Sequence, residues 1–155
     1  MAPQNPFDYF AIRNAISRYC IAIDNKDFDL LKQVFTADVD GIYPFGEPMK
    51  GVQVVADAIK GRLAPVTTQH ALTTQIITVA VDGKSATAST YFTGFHFGKG
   101  KWEGKELTAW GKYLDTLVLA DGDAEIPGAS GRWLISRREV LFTKRLGEDA
   151  VMSGK

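Results

Sequence analysis

A single cysteine, Cys20, and the lack of any Asn-x-Ser/Thr acceptor exclude an internal disulfide and N-glycosylation, the usual marks of a secreted chain. The longest uninterrupted apolar run, residues 19–23, is far short of the roughly 18 residues that cross a bilayer, and no basic-then-apolar leader opens the sequence. Net charge is also lacking. Eighteen Lys plus Arg balance eighteen Asp plus Glu, so no global field draws the chain to nucleic acid or to an anionic membrane. The expectation is a soluble, cytoplasmic protein with neither partner.

Motifs for phosphates and cofactors are missing as well. There is no Gly-x-x-x-x-Gly-Lys-Ser/Thr loop, no Gly-x-Ser-x-Gly elbow and no Gly-x-Gly-x-x-Gly after a strand. Gly98, Gly100 and Gly104 miss the last pattern by one residue and sit between two strand-like runs, where they read as a hairpin loop. One cysteine cannot build a thiolate zinc site. No cofactor and no metal are therefore expected.

What is present is an ordinary globular composition: 155 residues, 45% hydrophobic and 11% aromatic, enough for one domain over residues 1–155 with its core at about 8–143. Phe10, Ile12, Ile16, Tyr19, Cys20 and Ile23 recur at mostly three- and four-residue spacing and predict an amphipathic helix with Asp8 as N-cap. Cys20 in that run reads as a buried, inert thiol. Asp27 caps a second, shorter helix that ends near Ala37. A short strand at 39–44 and a loop punctuated by Gly46, Pro48 and Gly51 lead to a third helix at 52–63, stopped by Pro65. The pattern then changes to period two, with strands at 69–81, 85–97, 106–119 and 132–143, the first two joined through Asp82-Gly83-Lys84. Residues 120–131 read as a polar loop and 144–155 as a mixed-charge tail outside the core. Helices first and long strands afterwards predict an α+β fold, a curved, mainly antiparallel sheet packed on a long N-terminal helix and two shorter ones, with Gly94 and Gly111 placed to bend it.

Only two histidines occur, His70 and His96. Either could be a surface or core histidine. His96, however, stands between Phe95 and Phe97 on a strand, sharing the face of Gly94 and Phe92, where desolvation favours the neutral, base-competent imidazole. Asp24 ends the helix line Ile16, Cys20, Asp24, so its carboxylate points where the apolar face points and opposes the helix dipole. It belongs either to an exposed turn or to a carboxylate that orients a histidine. Tyr43, at a strand end, has a hydroxyl able to polarise a carbonyl, or else simply packs in the core.

At Asp24-Asn25-Lys26-Asp27-Phe28, Thr68-Gln69-His70 and Gly131-Arg132-Trp133-Leu134-Ile135 the chain resembles the SnoaL-like branch of the nuclear transport factor 2 superfamily and, within it, scytalone dehydratases and related lyases. The resemblance spans residues 10–142 and implies a cone fold with an apolar pocket. It makes Asp24 the histidine-orienting acid of a Tyr-Asp-x-Lys-Asp motif in which Ile23 replaces the tyrosine. It makes His70 the general base, His96 the second histidine and Tyr43 the pocket tyrosine. Tyr113 stands where the dehydratases have a pocket asparagine and Gly111 where they have a serine. Tyr113, Phe92 and Tyr19 are expected to contact substrate.

The implied activity is that of a cofactor-independent lyase (a dehydratase) or an isomerase, acting on a small apolar carbonyl compound such as a polyketide or terpenoid intermediate of secondary metabolism. Aldol-type cyclisation and dehydrochlorination, catalysed by related sequences with a similar His/Asp pair, stay open, as does a non-catalytic binding or assembly module of the same fold. A mononuclear metal site from Asp24, His70 and His96 is a third reading. A homo-oligomer, dimer or trimer, is expected, together with a tail that closes over the pocket.

Overall fold

The computed structural model describes residues 4–154, so Met1, Ala2 and Pro3 of the N-terminal lead and Lys155 of the tail lie outside the described residues. Helix α1 (Pro6–Asp24) begins before Asp8: Asn5 is its N-cap, accepting from the Phe7 N–H at 3.0 Å, and Pro6 fills the first turn, where no amide donor is needed. Asp8 is therefore not the cap. It is buried and accepts from the backbone N–H and the hydroxyl of Ser130, both at 2.8 Å, which pins the end of the 120–131 loop to the helix. Ile12, Ile16, Tyr19, Cys20 and Ile23 face inward as their spacing predicts, whereas Phe10 faces solvent.

The second helix is a 3-10 segment, Phe28–Gln33, capped by Asp27 as expected but shorter, because Phe35 and its neighbours leave it to pair with a distant strand. They form β1 (Phe35–Ile42), which starts earlier than residue 39. Met49–Lys50, in a stretch whose glycines and proline predict only loop, adds a two-residue strand β2 to β1. Helix α2 (Val52–Leu63) matches the expected span and buries Val55, Ala56, Ile59 and Leu63. The long strands follow as β3 (Thr67–Val79), β4 (Ser85–Phe97), β5 (Glu106–Ala120) and β6 (Arg132–Gly147). Strand β6 runs past residue 143, and the 3-10 turn Asp149–Ser153 places Val151 in the core at 1% exposure. The segment after 143 is thus part of the fold and not a solvated tail.

The six strands form one curved sheet that does not close, in the order β2-β1-β6-β5-β4-β3, antiparallel except for the parallel β1–β6 pair. The α+β architecture is the expected one, with α1 against β3 and β6. Bulges interrupt the β5–β6 register at Trp110/Gly111 and at Thr116/Leu117, and the β3–β4 register between Leu72 and Gln75. Gly111 is required at the first: a Cβ there would stand 2.2 Å from the Leu141 carbonyl oxygen. At Gly94 the β4–β5 register runs through unbroken, so that glycine is not a bend.

Candidate active site

One cavity opens between the inner sheet face, α1 and α2, and Tyr19, Tyr43, His70, Phe92, His96 and Tyr113 all line it, with Asp24 directly behind His70. The local reasons are periodic. Tyr19 and Asp24 project from the last turns of the buried α1 face, His70 lies two residues after Thr68 on β3 and so shares its face, and Phe92, Gly94 and His96 alternate inward along β4.

Asp24 grips His70 twice. Its Oδ1 lies 2.7 Å from the ring Nδ1, and its Oδ2 accepts the His70 backbone N–H at 2.8 Å, so one carboxylate sets both the strand position and the ring. The Thr68 hydroxyl adds a third bond to Oδ1 at 2.9 Å. Burial alone would raise the Asp24 carboxyl, but these bonds and the attraction of the His70 ring outweigh it and hold the group below the usual carboxylate range. A carboxylate only accepts, so Nδ1 carries a proton, and Nε2 is the ring nitrogen left on the side of Gly94 and the cavity.

A backbone device supports this pair. α1 ends in a turn where the Asp27 N–H reaches the Ala22 carbonyl at 2.9 Å and Lys26, not glycine, adopts the left-handed conformation (φ 60°). The Lys26 ammonium donates to the Thr68 hydroxyl oxygen at 2.9 Å, which leaves the Thr68 proton for Asp24. Burial lowers the Lys26 amine to about 8, against the raising effect of Asp24.

His96 meets the His70 ring edge-on, with centroids 5.7 Å apart. Its Nδ1 lies 3.0 Å from the Leu107 carbonyl oxygen, an atom that can only accept, so Nδ1 holds the proton and Nε2 is an acceptor. Burial first, then repulsion from His70, Arg62 and Arg145, pulls its pKa down to about 4 despite the Leu107 bond. Gly94 lies between the two rings: a Cβ there would stand 3.1 Å from both His70 Nε2 and His96 Cε1.

Opposite the histidines, the Tyr43 hydroxyl donates to the Tyr19 oxygen across a long 3.2 Å contact, and Phe92 stacks on Tyr113 at 4.5 Å. Both Tyr43 and Tyr113 are pushed well above the ordinary phenol pKa, primarily by burial. Behind them is a group that sequence reading misses. Arg138 is completely buried, bonded through Nε and Nη2 to the Asp115 carboxylate at 2.7 and 2.8 Å, and lies 4.2 and 4.0 Å from the ring centroids of Tyr19 and Tyr113. Burial disfavours its charge, but Asp115 overrides that and keeps it cationic. Asp115 was the available signal, since alternation of Tyr113, Asp115 and Leu117 puts a carboxylate on the core face where a cation must meet it. Arg62, Phe142, Arg145 and Met152 also line the cavity unforeseen. Cys20 is buried and pushed up to about 12 by desolvation, which suits the inert thiol expected.

Among the described residues no three His, Cys, Asp or Glu side chains are grouped to hold a metal ion. Asp24, His70 and His96 do not form such a group, because Asp24 is spent on the Nδ1 side of His70, away from His96. None of the described helices is long and apolar enough to cross a membrane.

A model of the SnoaL-like domain matches residues 7–139. The chain belongs to the SnoaL-like domain family. Among solved structures this SnoaL-like chain is similar to a candidate scytalone dehydratase from Novosphingobium aromaticivorans, with 21% identity, a TM-score of 0.78, and 96% of this chain and 92% of that one covered. It is similar to the hexachlorocyclohexane dehydrochlorinase LinA-type3 from Novosphingobium barchaimii at 13% identity and a TM-score of 0.74, covering 92% and 90%. The Kfla4162 protein from Kribbella flavida superposes at 18% identity and a TM-score of 0.78, covering 96% and 98%. These likenesses carry the fold alone. No curated protein matches the sequence.

Proposed function

We propose that this chain is a cofactor-independent lyase or isomerase that abstracts a proton α to the carbonyl of a small, largely apolar compound, such as an intermediate of a biosynthetic pathway. The observation that carries this reading is the Asp24–His70 pair: an ionised carboxylate 2.7 Å from Nδ1, with Nε2 turned to an apolar cavity. A binding module of the same fold has no use for so fully determined a carboxylate. The dehydratase and dehydrochlorinase among the similar structures point to the same class of chemistry.

In this scheme His70 Nε2 takes the α-proton and the carbonyl becomes an enolate. Tyr43 commits its proton to Tyr19, so Tyr19 is the phenol free to donate to the enolate oxygen, and Tyr43 strengthens it from behind. For a dehydration, the protonated His70 then returns its proton to the β-hydroxyl, the C–O bond breaks and water leaves as the double bond forms. His96 serves as an acceptor and not as a proton donor. With Nδ1–H held by Leu107 and a pKa near 4, it presents a lone pair and orients the substrate hydroxyl by accepting its hydrogen bond. Isomerisation differs only in where His70 returns the proton.

The test does not require the natural substrate. Exchange of the α-protons of tetralone in deuterated buffer, followed by NMR, reads proton abstraction directly. Wild-type protein should accelerate exchange, His70→Ala should lose about 10² to 10⁴-fold, and Asp24→Asn should lose less. Exchange by His70→Ala at the wild-type rate would reject the scheme.

A further inference from the structure

Two guanidinium groups stand in the lining of an otherwise apolar and aromatic cavity, and the acid–base reading uses neither. Arg62, near the end of α2, stacks over the Phe45 ring at 4.3 Å and has no ion-pair partner among the described residues. Arg145, on β6 opposite Ala109, stacks over Phe142 at 5.4 Å and pairs at 2.6 Å with Asp149, whose side chain is 73% exposed. Both lie close enough to His96 to disfavour its protonation, and close enough to each other for Arg145 to weaken the charge of Arg62. Two cations and one solvent-facing carboxylate leave one positive charge uncompensated at the cavity wall.

Such an arrangement is costly without a purpose. Burial disfavours the Arg62 charge, and a long aliphatic residue would cover Phe45 equally well. Asp149 also demonstrates that a carboxylate is accepted beside these groups. We infer that the cavity takes an anionic substrate, an aromatic carbonyl compound bearing a carboxylate that Arg62 and Arg145 bind while its carbonyl end lies against Tyr19 and His70. The planar forks of arginine suit a carboxylate better than a point charge would, and the stacked Phe45 and Phe142 rings hold the forks in place. This inference rests on the cavity being the substrate site, and it replaces a wholly apolar ligand with an amphipathic one.

The test uses cinnamate and its uncharged isostere cinnamamide, titrated into the full chain by calorimetry at low ionic strength. Cinnamate should bind about tenfold or more tightly than the amide, and the Arg62→Gln/Arg145→Gln double variant should bring the two within about twofold of each other. Equal binding of acid and amide by the wild-type protein, or no cinnamate binding at about 10 mM, overturns the inference whether or not the double variant folds. His70→Ala should keep the preference for the acid; if it loses it, the anion sits at the histidine and the arginine assignment falls. A chain that fails to exchange tetralone protons yet prefers cinnamate would reject the acid–base reading and leave the anion site standing.

Discussion

Gly94 faces His70 so closely that a methyl group on its Cα would stand 3.1 Å from the imidazole Nε2. The same methyl would meet His96 Cε1 at 3.1 Å, so the missing side chain is the space in which the two rings present their free nitrogens. Gly94→Ala should therefore leave the β4–β5 pairing intact but displace the rings, cutting tetralone exchange by about tenfold or more, since small misplacements of a base are costly. A wild-type exchange rate in this variant, checked for folding by thermal melting, would remove Gly94 from the site.

The ion pair of Asp115 and Arg138 has no exposed surface on either side chain. Breaking it from one side leaves a buried charge alone. Asp115→Asn and Arg138→Met should each lower stability by about 3–5 kcal/mol in denaturant titration, whereas the double change to Leu and Met should recover most of the loss. Additive losses in the double variant would mean that the two groups are not coupled.

Comparison of these two charges with the Asp24–His70 pair explains what sequence reading reaches. Asp24 lies on a helix line with a period that any reader can extend, and its partner sits in a short motif. Arg138 lies beyond a bulge. Ser136 is the extra residue on β6 opposite Thr116/Leu117, so Ile135 and Arg138, three apart, both point inward, and strict alternation from Ile135 would have turned Arg137 inward instead. The missed part of the fold has the same origin. Strand β1 begins at Phe35 because that residue pairs with Ile135, a hundred positions away, and β6 continues to Gly147 because Leu107 and Glu106 wait for it across the sheet. Local patterns carry helices, hairpins and helix-borne acids. Parallel pairing and bulges depend on partners that no window of sequence contains.

Stability should respond to acid through His96. Its pKa in the folded protein is about 4, below the ordinary value of 6.5. Between these values the unfolded chain binds the proton and the folded one does not, so the group's contribution is complete above about pH 6.5, declines as pH falls and levels off below about 4. In urea titrations the His96→Gln variant should show a flatter stability profile across that window than wild type, with Asp24, held below the usual carboxylate range, contributing its loss at lower pH. Parallel profiles for the two proteins would place the titrating group elsewhere.

The C-terminal segment is the last test, because its composition suggests a loose end and its contacts do not. Glu148 continues the sheet by donating its N–H to the Glu106 carbonyl at 2.8 Å, Val151 is 1% exposed, and Met152 reaches the cavity wall. Arg145 and Asp149 tie the turn to β6 beside the proposed anion site. Removing residues 148–155 would strip both a core residue and part of the cavity lining, so stability should fall by about 1.5–3 kcal/mol for Val151 alone. Met152→Ala separates the two effects: it trims the wall while Val151 still anchors the turn. A segment that excludes water from the enolate should show itself there as slower tetralone exchange and weaker cinnamate binding with little change in melting temperature. If Met152→Ala matches wild type in both measurements, the turn serves the core and takes no part in closing the site.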